Sequence, residues 1–225
     1  MAGLHLPLIE QLVLCLAALV LFTSFLLLAQ GRIVSLIHTF AWQGGLLCAA
    51  TCLMAINSGR YHLLISALLT LALKVFFIPW QLRRLVLRLD IRREVETIGN
   101  PSLIMLAGGA LVLFSYYVVL PIRELSLLAA RNTIAVSLAV ILIGMLMIIS
   151  RRKAVAQVIG FMSMENGLFF AAVVATYGMP MVVELGVAFD VLVAAILFGI
   201  FFFQLRAGIG SLDVDHLNRL HEKDQ

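Results

Sequence analysis

Seven runs of mostly apolar residues follow one another along the chain, each long enough to cross a bilayer as a helix of about 20 residues. They run from Leu8 to Ala29, Ile33 to Ile56, His62 to Leu82, Ser102 to Leu120, Asn132 to Ile149, Ala154 to Thr176 and Met181 to Phe203. None shows the polar/apolar alternation of a membrane β-barrel. The pattern therefore predicts an all-α fold, a polytopic membrane helix bundle with about seven transmembrane helices. Most connections are short, which makes sequential helices antiparallel neighbours.

The exception is Arg83–Asn100, which holds five arginines, one aspartate and two glutamates. Leu82, Leu85, Val86 and Leu89 recur there at helical spacing, and this predicts a continued or interfacial amphipathic helix, with a solvated charged loop as the alternative. The chain divides accordingly into an N-terminal part, 1–100, with three spans and this basic segment. A four-span part, 101–209, and a polar tail, 210–225, follow.

Composition removes the soluble classes. Of 225 residues, 63% are hydrophobic and 12% charged, with a mean hydropathy of +1.09. Soluble domains carry roughly twice that charge, and a globule of this composition lacks the polar residues to cover its surface. Disorder is excluded by the same hydrophobicity. The net charge of +4 calls for no nucleic acid, because the basic residues flank apolar runs and report topology. Arg32, Arg83, Arg84, Arg88, Arg92, Arg93, Arg151, Arg152, Lys153, Arg206, Arg219 and Lys223 fall on one side. Only Arg60, Arg123 and Arg131 fall on the other. The positive-inside rule places the C-terminus and the basic segment in the cytoplasm and the N-terminus outside. With no basic stretch ahead of it, the first run reads as a retained span rather than a cleaved signal.

Three ionisable residues lie where lipid would be: Lys74 near the middle of the third span, Glu165 of the sixth and Asp190 of the seventh. Each costs about 2.5–3.5 kcal/mol at the centre of an isolated inserting helix, so each must face other helices or water. One reading is a buried ion pair of Lys74 with one acid, holding the bundle together. Such pairs stabilise little, because desolvation offsets the Coulomb gain. The other is a proton or ion path: two acids and one lysine leave an acid without a counter-charge, a group that can take up and release protons. Pro79 lies five residues past Lys74 and deprives the Val75 carbonyl of its helical donor. Weaker candidates for the path are Glu184, close to the outer end of span seven, and His38, about one turn from the cytoplasmic end of span two. Glu10 lies near the outer mouth of span one. Gly44-Gly45 and Gly108-Gly109 suit close helix packing.

The chain offers little chemistry of its own. Cys15, Cys48 and Cys52 all lie inside apolar runs, and free cysteines there act as small hydrophobes. There is no CxxC and no four-cysteine set for an iron–sulfur cluster. No phosphate-binding glycine loop, HExxH or GxSxG is present. The expectation is a chain without a metal, cofactor or catalytic motif, working within a larger assembly or as a small transporter.

Four segments carry a resemblance: Ala72-Leu73-Lys74-Val75-Phe76-Phe77-Ile78-Pro79, Ile159-Gly160-Phe161-Met162-Ser163-Met164-Glu165-Asn166-Gly167, Glu184-Leu185-Gly186-Val187-Ala188-Phe189-Asp190, and Gly210-Ser211-Leu212-Asp213-Val214-Asp215-His216-Leu217-Asn218. Together they resemble the hydrogenase-4 component E family, over most of the chain. Spans five to seven also resemble the three-helix K-type subunit of respiratory complex I and the C subunit of multi-subunit cation/proton antiporters. In the K-type pattern one acid lies on the middle helix shortly before an asparagine, and another on the last helix. Asp190 matches the second acid and Asn166 the asparagine. The first acid aligns with Met162, and Glu165 stands three residues later, on roughly the same helical face. Lys74 belongs to the extra N-terminal half.

The resemblance implies a membrane subunit of a hydrogenase-4, formate hydrogenlyase-type or related energy-converting complex in a bacterial or archaeal cytoplasmic membrane. It implies antiporter-like membrane subunits, a membrane anchor and soluble hydrogenase-type subunits as partners. The nickel–iron centre and iron–sulfur clusters would be held by those partners. Glu165 and Asp190 would carry protons and Lys74 would tune them. A subunit of a non-redox cation/proton antiporter, and a structural scaffold whose buried charges only specify helix pairing, remain as alternatives.

Overall fold

The structure is a computed structural model, and it describes residues 8–58, 62–88, 95, 97–121, 128–175, 186, 188–196 and 199. The described chain is all-helical. Helices α1 (Leu8–Ala29) and α2 (Ile33–Ser58) are followed by α3 (His62–Thr70), a π-helix (Leu71–Phe77) and α4 (Ile78–Arg88), which run on without a break. Helices α5 (Pro101–Val119), α6 (Leu128–Ser150) and α7 (Ala154–Ala175) come next, and residues 188–196 are helical.

Among the described residues, five helices are long and apolar enough to cross a membrane: Leu8–Ala29, Ile33–Ile56, Pro101–Val119, Arg131–Ser150 and Ala154–Val174. They coincide with five of the predicted spans to within a residue or two. Past Leu82, the predicted end of the third span, the helix carries on to Arg88. Leu82, Leu85 and Val86 are buried there while Arg83 is exposed, so an apolar stripe holds this end against the bundle as the spacing anticipates. Of the seventh predicted span only the stretch around 188–196 is described. Glu184 and the tail 210–225 lie outside the described residues.

The large side chains that face outward are apolar: Leu106, Leu113 and Tyr117 of α5, Trp42 of α2 and Trp80 of α4 are all well exposed. Helices apolar on every side suit a lipid surround rather than water. Helix α5 is the peripheral one and buries only Gly108, Ser115 and Val119. The most extensive pairing is α6 with α7; α1 packs on α2 and α6, and α2 on α7 and the π-helix.

Glycines set how closely these helices approach. A Cβ on Gly144 of α6 would lie 2.7 Å from the Met164 backbone nitrogen of α7. One on Gly167 of α7 would lie 3.0 Å from the Ser137 carbonyl of α6. Gly44 meets Lys74 and Gly108 meets Leu28 and Phe25, whereas Gly45 and Gly109 meet nothing within 4 Å; one glycine of each predicted pair is thus a packing residue. Gly144→Ala must push α6 and α7 apart. We expect it to lower the thermal midpoint of the purified protein, at a cost of about 1–3 kcal/mol, while Gly109→Ala leaves the midpoint unchanged.

Between helices, one end of the bundle is tied by backbone bonds. Val95 donates to the Gly31 carbonyl at 2.8 Å and Ile98 to the Ser150 carbonyl at 2.7 Å. Arg151, buried at this end, donates from Nη2 to the Leu28 carbonyl at 2.5 Å, and its own carbonyl accepts from Gln157 Nε2 at 2.8 Å. A cation thus satisfies the last turn of α1, where carbonyls have no intrahelical donor. Burial lowers the Arg151 pKa from its ordinary value, yet a guanidinium remains protonated in proteins.

Apolar packing is divided in two. One cluster gathers Leu27, Leu36, Phe40, Ile78, Ile143 and Ile159; the other gathers Ala17, Val20, Leu47, Val140, Phe170 and Val173. On α1, α2 and α7 the buried polar residues between them include Ser24, Gln43, Ser163, Glu165 and Asn166. A polar layer therefore crosses the bundle at mid-depth between two apolar halves.

Candidate functional site

Lys74 enters this layer from the π-helix. Pro79 carries no N–H, and the turn ahead of it is wound wide: the Ile78 amide donates to the Leu73 carbonyl, five residues back. The expected gap at the Val75 carbonyl is thus part of a π-helical stretch, a form that recurs at functional sites. Gly44 of α2 lets the lysine stem pass, since a Cβ there would come within 3.1 Å of the Lys74 Cβ.

The lysine is fully buried, and its ammonium is shared. Nζ lies 2.5 Å from Glu165 Oε2 and 3.1 Å from Asp190 Oδ1. It donates to Asn166 Oδ1 at 2.7 Å and stands 5.7 Å from the centre of the Phe169 ring, a cation–π distance. Asp190 Oδ1 is close enough for an ion pair, but neither it nor Glu165 Oε1 has a hydrogen-bond partner among the described residues. One ammonium balances one carboxylate. The second is balanced only when it holds a proton, because an uncompensated buried charge is strongly disfavoured. The arrangement can therefore exchange one proton while Lys74 keeps contact with whichever acid is ionised.

Beside the cluster is an apolar cleft of about 420 Å³ between α7 and the stretch around Phe189. Phe161, Leu168, Phe169 and Phe189 line it together with Glu165. Glu165 thus lies between the charged layer and an apolar boundary.

The structure brings together the three residues that the sequence picks out at mid-span, and Lys74 meets both acids rather than one. His38 is exposed on α2 and does not reach the cluster. Glu184 lies outside the described residues. Glu10 is partly buried on α1, with Oε2 lacking a hydrogen-bond partner among the described residues. Sequence reasoning missed Gln43 and Ser24. Asn166 Nδ2 donates to Gln43 Oε1 at 3.1 Å, and Gln43 Nε2 donates to Ser24 Oγ at 2.8 Å. An amide in the middle of an apolar helix is the signal that could have found Gln43. Among the described residues no group of three or more His, Cys, Asp or Glu is placed to hold a metal ion. Cys15, Cys48 and Cys52 are free, and the Cys48 thiol donates to the Ala67 carbonyl.

Comparison with known proteins gives two kinds of relative. An uncharacterized protein of Mycobacterium tuberculosis, Rv0085, is 30% identical over 200 residues, covering 88% of this chain and 91% of its own. Hydrogenase-4 component E of Escherichia coli K12 is 29% identical over 125 residues, or 56% of this chain, and the same figures hold for the Shigella flexneri protein. The chain spans 58% of the length of component E. No family model matches the chain, and no solved structure does.

Proposed function

We propose that this chain, which belongs to one family with Rv0085 and is similar to hydrogenase-4 component E, is a membrane subunit of a hydrogenase-type energy-converting complex. In this reading the chain crosses the cytoplasmic membrane of a bacterium or archaeon seven times. The N-terminus is outside and the C-terminus is in the cytoplasm. The 1–100 part contributes Lys74, the 101–209 part contributes the acids, and the basic segment and the 210–225 tail face the soluble arm. Antiporter-like membrane subunits lie beside it. The nickel–iron centre and the iron–sulfur clusters belong to partners, and this chain supplies part of a proton path, with hydrogenase or formate hydrogenlyase-type chemistry at the far end.

The observation that carries the reading is the buried cluster itself, with Lys74 within ion-pair distance of both Glu165 and Asp190. At 4 Å and an effective dielectric constant of about 20, two unit charges interact by about 4 kcal/mol. A small displacement of the ammonium therefore decides which acid is ionised. When Lys74 closes on Glu165, Asp190 loses its counter-charge and takes up a proton; when it closes on Asp190, Glu165 does. A redox event in a partner that moves charge near Lys74 is thereby coupled to protonation. Glu184, close to the outer end of span seven, extends the path toward the outer face, while the exposed His38 lies off it.

Complex membership is tested by affinity purification of the tagged chain from its native membrane in mild detergent, with mass spectrometry and metal analysis. The expected result is co-purification of an antiporter-like subunit with iron–sulfur subunits and nickel. Antiporter-like subunits without redox metals would instead assign the chain to a cation/proton antiporter.

A further inference from the structure

The acids are half of the polar layer around Lys74. The other half is neutral and runs away from them. Lys74 Nζ donates to Asn166 Oδ1 at 2.7 Å and Asn166 Nδ2 to Gln43 Oε1 at 3.1 Å. Gln43 Nε2 donates to Ser24 Oγ at 2.8 Å, and the Ser24 hydroxyl donates to the Val20 carbonyl at 3.0 Å. Every donor in this chain points the same way, from the π-helix through α7 and α2 into α1. The two ends fix that direction, because an ammonium can only donate and a backbone carbonyl can only accept. Lys74, Asn166, Gln43 and Ser24 are each fully buried.

We infer that Gln43 and Ser24 are positioning residues, which hold the Asn166 carbonyl on the Lys74 ammonium and anchor it while it exchanges between Glu165 and Asp190. The inference rests on the proton-path reading above. If Asn166 turned over, it would present its own N–H groups to the ammonium, donor against donor. Gln43 prevents this by offering only its carbonyl to Asn166, and Ser24 fixes Gln43 by accepting from its amide. Bonds aligned head to tail also polarise one another, which makes Asn166 Oδ1 a better acceptor for a cation.

The same chain closes one side of the layer to protons. Carboxamide nitrogens have no basic lone pair, so a proton does not leave Lys74 through Asn166 and Gln43 toward α1. Traffic is confined to the carboxylate side. Among the described residues, the charged groups that face Lys74 are Glu165 from α7 and Asp190 from the 188–196 helix. Helix α2 presents only the neutral Gln43 and Gly44, and its His38 is exposed.

The test is the pH profile of proton translocation in inverted vesicles carrying the intact complex. Ser24→Ala removes the end of the chain with little change in volume. It is expected to move the alkaline limb of the profile to lower pH by up to about one unit, the scale of a lost hydrogen bond between neutral groups. Gln43→Leu is expected to move it at least as far. Gln43→Glu, which places a counter-charge at the same spot, is expected to move it to higher pH. A merely structural pair would change the amount of complex and leave the profile in place. An unshifted profile in assembled Ser24→Ala overturns the inference, whether or not Gln43→Leu assembles. Glu165→Gln in the same vesicles separates this from the underlying reading: normal translocation there defeats the proton path itself, whereas silent Glu165→Gln with unshifted Ser24→Ala defeats the positioning role alone.

Discussion

Lys74→Met is expected to lower the thermal midpoint of the folded subunit further than any other single substitution in the chain. It leaves the one ionised carboxylate of the Glu165–Asp190 pair without a cation, in a layer where both side chains are at least nine-tenths buried. Removing one partner of a buried ion pair costs about 3–5 kcal/mol, a large share of the roughly 5–15 kcal/mol that holds a domain folded. It also strands Asn166, whose Oδ1 loses its donor. Two results would follow in a thermal-melt series on the purified protein. Lowering the pH should recover part of the loss, because protonated acids need no counter-charge. Adding Glu165→Gln should recover part of it too, since the two substitutions act on one contact and are not additive. Lys74→Arg should not restore the wild-type midpoint: the fork of the guanidinium has a different shape from an ammonium, and Gly44 leaves room for one narrow stem. A Lys74→Met protein with an unchanged midpoint at neutral pH would mean that the acids carry no charge in the folded state.

The spans were legible because apolar length alone decides them. Leu8–Ala29 follows from the sequence with both ends in place, since Gln30 and Arg32 stop the apolar run. The three buried charges were legible for a related reason: an ionisable group at mid-span has nowhere to go except another helix. What the sequence does not carry is azimuth. Helices apolar on all sides give no stripe to say which face meets which neighbour. The partners of Lys74 were therefore open until α7 and the 188–196 helix were in place. The same blindness hid Ser24, whose hydroxyl raises no alarm singly, and the partners of the mid-span amide Gln43, which lies between Asn166 and Ser24 only in the fold. It also hid the α6–α7 contact on Gly144 and Gly167, which lack the paired form that draws the eye to Gly44-Gly45. Arg151 reads as one more basic residue at a membrane face, and only the fold reveals it as the cap of α1. The π-helix is a case between the two. Pro79 announces a break, but the π-helical winding ahead of it, and the close approach of Lys74 to Gly44, are visible only in the fold.

The second large effect is functional. Glu165→Gln is expected to reduce proton translocation at least tenfold while the complex still assembles. Glutamine has nearly the size of glutamate, and its carbonyl can still accept from Lys74 Nζ, which lies 2.5 Å from Oε2 in the parent protein. The cluster that remains, Lys74 with Asp190, is charge-balanced, and the Asn166–Gln43–Ser24 arm is untouched. Packing and neutrality are therefore kept. What is lost is the second proton site, and with it the exchange that lets Lys74 move between two acids. Under the scaffold reading the outcome differs, because a weakened ion pair would lower assembly and activity together.

The most direct measurement is the proton-to-electron stoichiometry of inverted vesicles carrying Glu165→Gln, compared with the parent at equal amounts of assembled complex. The account expects electron transfer to continue with translocation close to background. Translocation at the parent stoichiometry, with the complex intact, would contradict it.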